Sequence, residues 1–223
     1  MAAGARPEFS ELPVQEGAPP GSSWGVFGEA DELGTLNFIG PEQVRSAGEL
    51  IRTGRVFALN WDVALPAPPF FMRQAPNHTI FEKFDGVVLD DWLDSFYLQS
   101  STQWDGLRHF SDADYGWYNG ATRSEVGTPS AGRLGIEHWA RRGIAAVVAD
   151  NPALEAAHRV TGSDLSLHRA LLARLGMPLG ELWVLGPLAA DCAAACVYEC
   201  FLTSSPLNVG GGAGSPANAL AIK

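Results

Sequence analysis

Three things are scarce in this chain. It has 3 cysteines in 223 residues, only 15 lysines and arginines against 25 aspartates and glutamates, and no apolar run approaching the ~20 residues that span a bilayer. The shortage of cations leaves a net charge of −10 and a pI near 4.9. Nucleic acid and anionic membrane surfaces are bound through basic footprints, so both are excluded as expected partners. The densest basic spot is Arg141-Arg142, and two arginines do not make a patch.

The cysteines are Cys192, Cys196 and Cys200, an odd number crowded into one segment, which is no disulfide framework. A metal site would need them on one helix face. "AADCAAACVYECF" reads instead as a helix running into a strand, which scatters them, so buried thiols are expected. A reducing cytoplasm suits them. The opening "MAAGARPEFSELPVQEGAPPGSS" lacks the apolar core of a secretory signal and reads as a flexible or draped arm over residues 1–23. The sequon Asn77-His78-Thr79 means little without a secretory route. With 46% apolar and 18% charged residues, 24–223 reads as a single globular domain.

Mixed α and β structure follows from the patterning. "GPEQVRSAGELIRTG" has Pro41 at a helix start, Gly54 past its end, and Val44, Ala47 and Ile51 on one face. "RVFALNWDV" reads as a strand, and the proline-rich "PAPPFFMRQAPNH" as a loop with aromatic anchors. "DSFYLQSSTQWD" is extended, "ADYGWYNGAT" is a glycine-punctuated loop, and "RLGIEHWARRG" is a short helix stopped by Gly143. "IAAVVAD" suits a strand buried on both faces, and "SDLSLHRALLARLG" is a helix ended by Gly176. "ECFLTSSPLNV" and "ANALAIK" look like strands around "GGGAGSP". That glycine loop lacks the lysine-serine/threonine ending of a P-loop, so it reads as a tight, backbone-close turn.

The chemistry concentrates in "LQSSTQWDGLRHF". On an extended segment Gln99, Ser101, Gln103 and Asp105 share one face. A straight strand would hold Gln99 and Gln103 about 13 Å apart, so one ion is shared only if the chain bends at Ser100-Ser101. A solvated polar strand face is the alternative. His168 sits on the apolar face of its helix with Leu171, Leu172 and Leu175, and a buried-facing imidazole needs partners for both nitrogens. It is either a core histidine bonded to a carbonyl or a ligand. Glu181, in "LGELWVL", is a carboxylate among apolar neighbours and wants a cation or a hydrogen-bond donor.

Together these residues resemble the cyclase family of metal-dependent hydrolases, which includes bacterial kynurenine formamidase and isatin hydrolase. That family carries His-x-Gly-Thr-His-x-Asp-x-x-x-His-Phe, and "QSSTQWDGLRHF" aligns with it without a gap. Gln99 and Gln103 fall on two metal-ligand histidines, Asp105 on the ligand aspartate and His109 on the catalytic histidine. "SLHRALLARLGMPLGELWVL" is similar to the later segment, placing His168 and Glu181 on the remaining ligands. "PLNVGGGAGSPANALAIK" and "WGVFGEADELGTLNFIGPEQV" resemble the family's closing and opening stretches. The resemblance implies a swivelling β/β/α fold of the mixed α/β, strand-rich class, working as a homo-oligomer.

It also implies hydrolysis of a small amide, formamide or cyclic amide by a water activated on a divalent metal ion, manganese or zinc, and, through the formamidase members, a role in tryptophan catabolism. His109 would move protons, and Trp104, Phe110, Trp117 and Tyr118 would wall an aromatic small-molecule substrate, unless they simply pack in the core. There are two departures. Glutamine offers a neutral oxygen where histidine offers a basic nitrogen, which weakens zinc binding most and leaves Gln99 and Gln103 as weak ligands or substrate contacts. The middle is also short: Ile144 meets Ala145 directly, where relatives continue with more sheet, so an internal deletion near 144–145 would leave sheet edges unpaired. The alternative is a non-catalytic, metal-free cyclase-like protein that binds a ligand or serves assembly.

Overall fold

The computed structural model describes residues 6–140, 147–154 and 166–223. In chain order its regular elements are α1 (Pro41–Gly48), β1 (Val56–Ala58), β2 (Asn77–Lys83), β3 (Val88–Asp94), β4 (Gln103–Asp105), α2 (Arg123–Val126), β5 (Val147–Val148), β6 (Leu179–Glu181), α3 (Gly186–Ala195), β7 (Phe201–Ser204), β8 (Gly214–Pro216) and β9 (Ala219–Ile222). They form a three-stranded sheet in the order β1-β9-β7, a β2-β3 hairpin, and a four-stranded sheet in the order β5-β6-β4-β8. Within the four-stranded sheet only β5 and β6 run parallel. No helix among the described residues is long and apolar enough to cross a membrane.

The two larger sheets are joined through Trp104. Its indole is fully buried, packs edge-on against Trp183, and donates to the Ser204 hydroxyl of β7 at 2.8 Å. Gly180, opposite Trp104 in the register, makes room for this ring pair: a Cβ there would lie 2.6 Å from the Trp183 indole nitrogen. Strand alternation then sends Gln103, Asp105 and Glu181 to the other face.

Several segments are shorter than their patterns suggest, each for a local reason. Helix α1 ends at Gly48 because the Thr53 and Gly54 amides turn to the Lys223 carbonyl; Val44 and Ile51 stay exposed. Strand β1 stops at Ala58 because the Asn60 side chain takes over, bonding both the amide and the carbonyl of Ala219. Of "DSFYLQSSTQWD", only Gln103–Asp105 is strand, since the Ser100 amide and hydroxyl both return to the Tyr97 carbonyl and bend the chain.

Among the cysteines, Cys192 is buried, Cys200 is partly buried and Cys196 is exposed. The buried-thiol expectation is therefore corrected for Cys196, which takes the left-handed cap of α3. The patterning leads to no strand over 79–93, yet β2 and β3 pair there around Asp85-Gly86, a turn signal. Gly143 and the Ile144-Ala145 junction lie outside the described residues, as do the first residues of "SDLSLHRALLARLG".

The helix that carries His168 winds as a π-helix from Arg169 to Arg174. Carbonyls at its end accept from the N-terminal stretch: Ala173 from the Trp24 indole at 2.8 Å, Arg174 from the Ser23 amide at 3.0 Å, and Leu175 from the Ser23 hydroxyl at 2.8 Å. Such winding is concentrated at functional sites. Beyond it Gly176 meets Gly34 backbone to backbone, both with positive φ, and the Thr35 amide donates to the Gly176 carbonyl at 2.9 Å.

A methyl group on Gly34 would overlap that carbonyl. Gly34→Ala is expected to cost about 3 kcal/mol or more, because a left-handed backbone and a steric clash coincide. Urea unfolding measures this; an unchanged midpoint would mean that the two glycines do not meet.

Candidate metal centre

Antiparallel pairing of β4 with β6 sets Gln103 opposite Glu181 and Asp105 opposite Leu179. The carboxylates therefore project from neighbouring strands onto one face. The first turn of the π-wound helix lays His168 over them. Its Nε2 lies 3.4 Å from Asp105 Oδ2 and 3.3 Å from Glu181 Oε1. One ligand atom from each of Asp105, His168 and Glu181 can be chosen so that all lie within 4.8 Å of one another, and all three residues are buried. His109, on the tight turn after β4, brings its Nε2 to 3.6 Å from Asp105 Oδ1.

Gln103 is fully buried and donates to Glu181 Oε2 at 3.2 Å, while its own Oε1 has no hydrogen-bond partner. Neither oxygen of Asp105 receives a hydrogen bond of ordinary geometry. Glu181 Oε1 also accepts the Leu154 amide at 3.0 Å. Buried oxygens left in this condition are costly unless a cation meets them. Two carboxylates, an imidazole and an amide oxygen therefore fit a divalent ion. Gln99 folds back over Gly214, the glycine paired with Asp105: a Cβ at Gly214 would lie 2.6 Å from Gln99 Nε2. The bend at Ser100-Ser101 thus returns Gln99 to the strand that flanks Asp105.

The aromatic wall differs from expectation. Phe110 lines the cavity beside the carboxylates, with its ring 5.4 Å from that of His168. Trp104, Trp117 and Tyr118 do not line it. Trp104 points to the opposite face of β4, Trp117 is held by the Arg108 carbonyl at 2.9 Å, and Tyr118 is buried with its hydroxyl on Asp31 at 3.1 Å. Phe71 and Arg73 stand in the wall instead, along with Pro152 and Ala153. Both Phe71 and Arg73 come from the proline-rich loop, where no periodicity marks a residue as facing a site.

Electrostatics bind the group together. Burial works against charge on His168, but Asp105 and Glu181 more than offset it and raise the imidazole to about 11. Burial likewise opposes charge on Asp105, and His109, His168 and Arg73 together lower it below the usual carboxylate range. Without an ion, an imidazolium therefore bridges the carboxylates. An ion and the second imidazole proton exclude each other, so loading the site releases a proton. The His168 contribution to stability is fully present below the unfolded value near 6.5 and is lost as pH rises through 11. Chelator-treated protein should accordingly show a doubly protonated His168 ring by NMR at about pH 8, with stability falling at higher pH. A neutral ring there would contradict this charge arrangement.

No protein-family model and no curated protein matches the sequence. Among solved structures, one described as "a novel cyclase" is similar over 91% of this chain and 99% of its own, with a TM-score of 0.80 and 26% identity. A "predicted metal-dependent hydrolase" from Bacillus stearothermophilus is also similar, at 15% identity and a TM-score of 0.46 over 76% of this chain and 98% of its own. So is a "potential metal-dependent hydrolase with cyclase activity", at 15% identity and a TM-score of 0.44 over 75% of this chain and 98% of its own. The first of these matches gives the chain a mixed α/β, cyclase-like fold, with a buried Asp-His-Glu cluster in its four-stranded sheet.

Proposed function

We propose that this chain is a metal-dependent hydrolase that cleaves the C–N bond of a small amide, formamide or cyclic amide. The observation that carries the reading is the buried convergence of Asp105, His168 and Glu181, with both Asp105 oxygens lacking ordinary hydrogen bonds. These three would hold the ion, with Gln103 Oε1 as a weaker neutral donor. Oxygen donors tilt the choice from zinc toward manganese. When bound, a divalent ion there polarises a carbonyl and makes a water acidic enough to ionise near neutral pH.

The chain's own groups do the rest. His109 lines the cavity, with its Nε2 3.6 Å from Asp105 Oδ1. From there it accepts a proton from the attacking water and returns one to the departing nitrogen. Phe110 and Phe71 line the small, open cavity of ≈ 80 Å³ beside the cluster and offer apolar faces to a group bound at its mouth.

One observation favours a second reading. His168 and Arg73 already bring positive charge to the two carboxylates, as a metal-free ligand-binding relative would require.

Elemental analysis and turnover separate the two readings. Purified protein is expected to carry about one manganese or zinc ion per chain and to lose it in His168→Ala. His109→Ala is expected to keep the ion and lose at least about a hundredfold in kcat. Metal-free protein that cannot be loaded would discard the hydrolase assignment, and full turnover by His109→Ala would discard the role given to His109.

We also propose that the protein works as a homo-oligomer, since Ile80, Leu89 and Leu93 stand exposed on one face of the β2-β3 hairpin. Sedimentation should then show an assembly that Ile80→Lys/Leu89→Lys dissociates; a monomeric wild type would contradict it.

A further inference from the structure

Arg73 has no part in the chemistry above, yet its side chain lines the same cavity as His109, His168 and Glu181. Its guanidinium stands 5.3 Å from the centre of the Phe71 ring and is tied to the Gln99 carbonyl through Nη1. A guanidinium has five N–H donors. Among the described residues Arg73 makes no ion pair within 4.0 Å, and its nitrogens are not among the buried polar atoms without partners. The side chain is half-buried in the cavity wall, so donors beyond the Gln99 bond are accessible to a ligand there. The loop presents this side chain at a cost: Phe71 and Met72, neither of them glycine, both take left-handed φ of 59° and 58° immediately before it. Strain of this kind gathers where a side chain must be aimed at a ligand.

Charge decides what Arg73 would meet. With an ion held by the cluster, the carboxylates of Asp105 and Glu181 cancel its two charges, and the guanidinium is left as the uncompensated charge of the cavity. Its flat fork of donors matches a carboxylate better than any neutral group does. Phe71 and Phe110 flank the same space and suit an aromatic ring. We propose that Arg73 binds a carboxylate on the substrate, so that the amide cleaved here is an anionic one, carried on an aryl carboxylate. The cleavage rests on the hydrolase reading, and the anion preference rests on Arg73 in the cavity wall together with an ion that offsets the two carboxylates.

Calorimetry on the purified protein with its own metal content tests the recognition without turnover, using benzoate and its neutral counterpart benzamide. Wild type is expected to bind benzoate at least about tenfold more tightly than benzamide. R73Q should lose that preference, and R73K should retain part of it, since hydrogen bonds to a charged group are worth about this much. Equal or undetectable binding of benzoate by wild type overturns the proposal. Benzoate binding that survives in R73Q also overturns it, because the ion rather than Arg73 would then hold the carboxylate. A turnover arm compares 2-formamidobenzoate with formanilide. Arg73-dependent benzoate binding with no hydrolysis of either defeats the hydrolase reading and leaves the anion site standing. Hydrolysis of formanilide alone defeats the anion site and leaves the hydrolase.

Discussion

The His168 imidazole lies between Asp105 and Glu181, at 3.4 and 3.3 Å, on a sheet face where all three residues are buried. Two carboxylates cannot share such a place unless positive charge comes with them, because each would otherwise keep most of its lost hydration cost. Everything near the cluster answers to that requirement. Gln103 donates an amide hydrogen to Glu181, Leu154 donates its backbone amide to the same carboxylate, and Arg73 and His109 stand within electrostatic reach of Asp105. The amide donors go to Glu181, whereas Asp105 has His168, His109 and Arg73 as its neighbours. That asymmetry is what a divalent ion next to Asp105 would resolve.

The scaffold holds this arrangement by separating its two faces. One face of β4 is dry and aromatic, where Trp104 meets Trp183 and reaches Ser204 across to the second sheet. The other carries charge. Because side chains alternate, a one-residue slip in β4 against β6 would bury Gln103 and Asp105 in the tryptophan core and turn Trp104 into the cavity. The register is fixed on both sides, by Glu181 opposite Gln103 and by Gly214 opposite Asp105. The helix carrying His168 is held at its far end, through Ser23, Trp24 and the Gly34-Gly176 contact. The imidazole is thus placed by residues distant in sequence from the strands it covers.

Much of the site was readable from residue types, and the reason is chemical. Asp105 and Glu181 stood out as carboxylates among apolar neighbours, and His168 as an imidazole on an apolar helix face. Each needed a partner, and each found the others. The bend at Ser100-Ser101, required if Gln99 was to come near, is made by the Ser100-Tyr97 bonds. The cyclase-like fold was legible through the motif and agrees with the solved cyclase.

What stayed hidden depended on contacts that no pattern announces. Arg73 and Phe71 come from a proline-rich loop, where no periodicity marks which side chains face a site. Trp104, Trp117 and Tyr118 looked like a substrate wall because aromatic residues serve cores and pockets alike. Which one they serve is decided by a hydrogen-bond partner such as the Arg108 carbonyl or Asp31. Likewise, Asn60 ends β1 by imitating a strand backbone, an effect invisible to propensity.

A divalent ion at this site would be held jointly by two strands and a helix. Crystals soaked in manganese and measured at a wavelength where manganese scatters anomalously address this directly. The expected result is one strong anomalous peak in direct contact with the Asp105 and Glu181 carboxylates and the His168 ring. A clean map at that position, or a peak bound elsewhere while the imidazole still bridges the two carboxylates, would contradict the account.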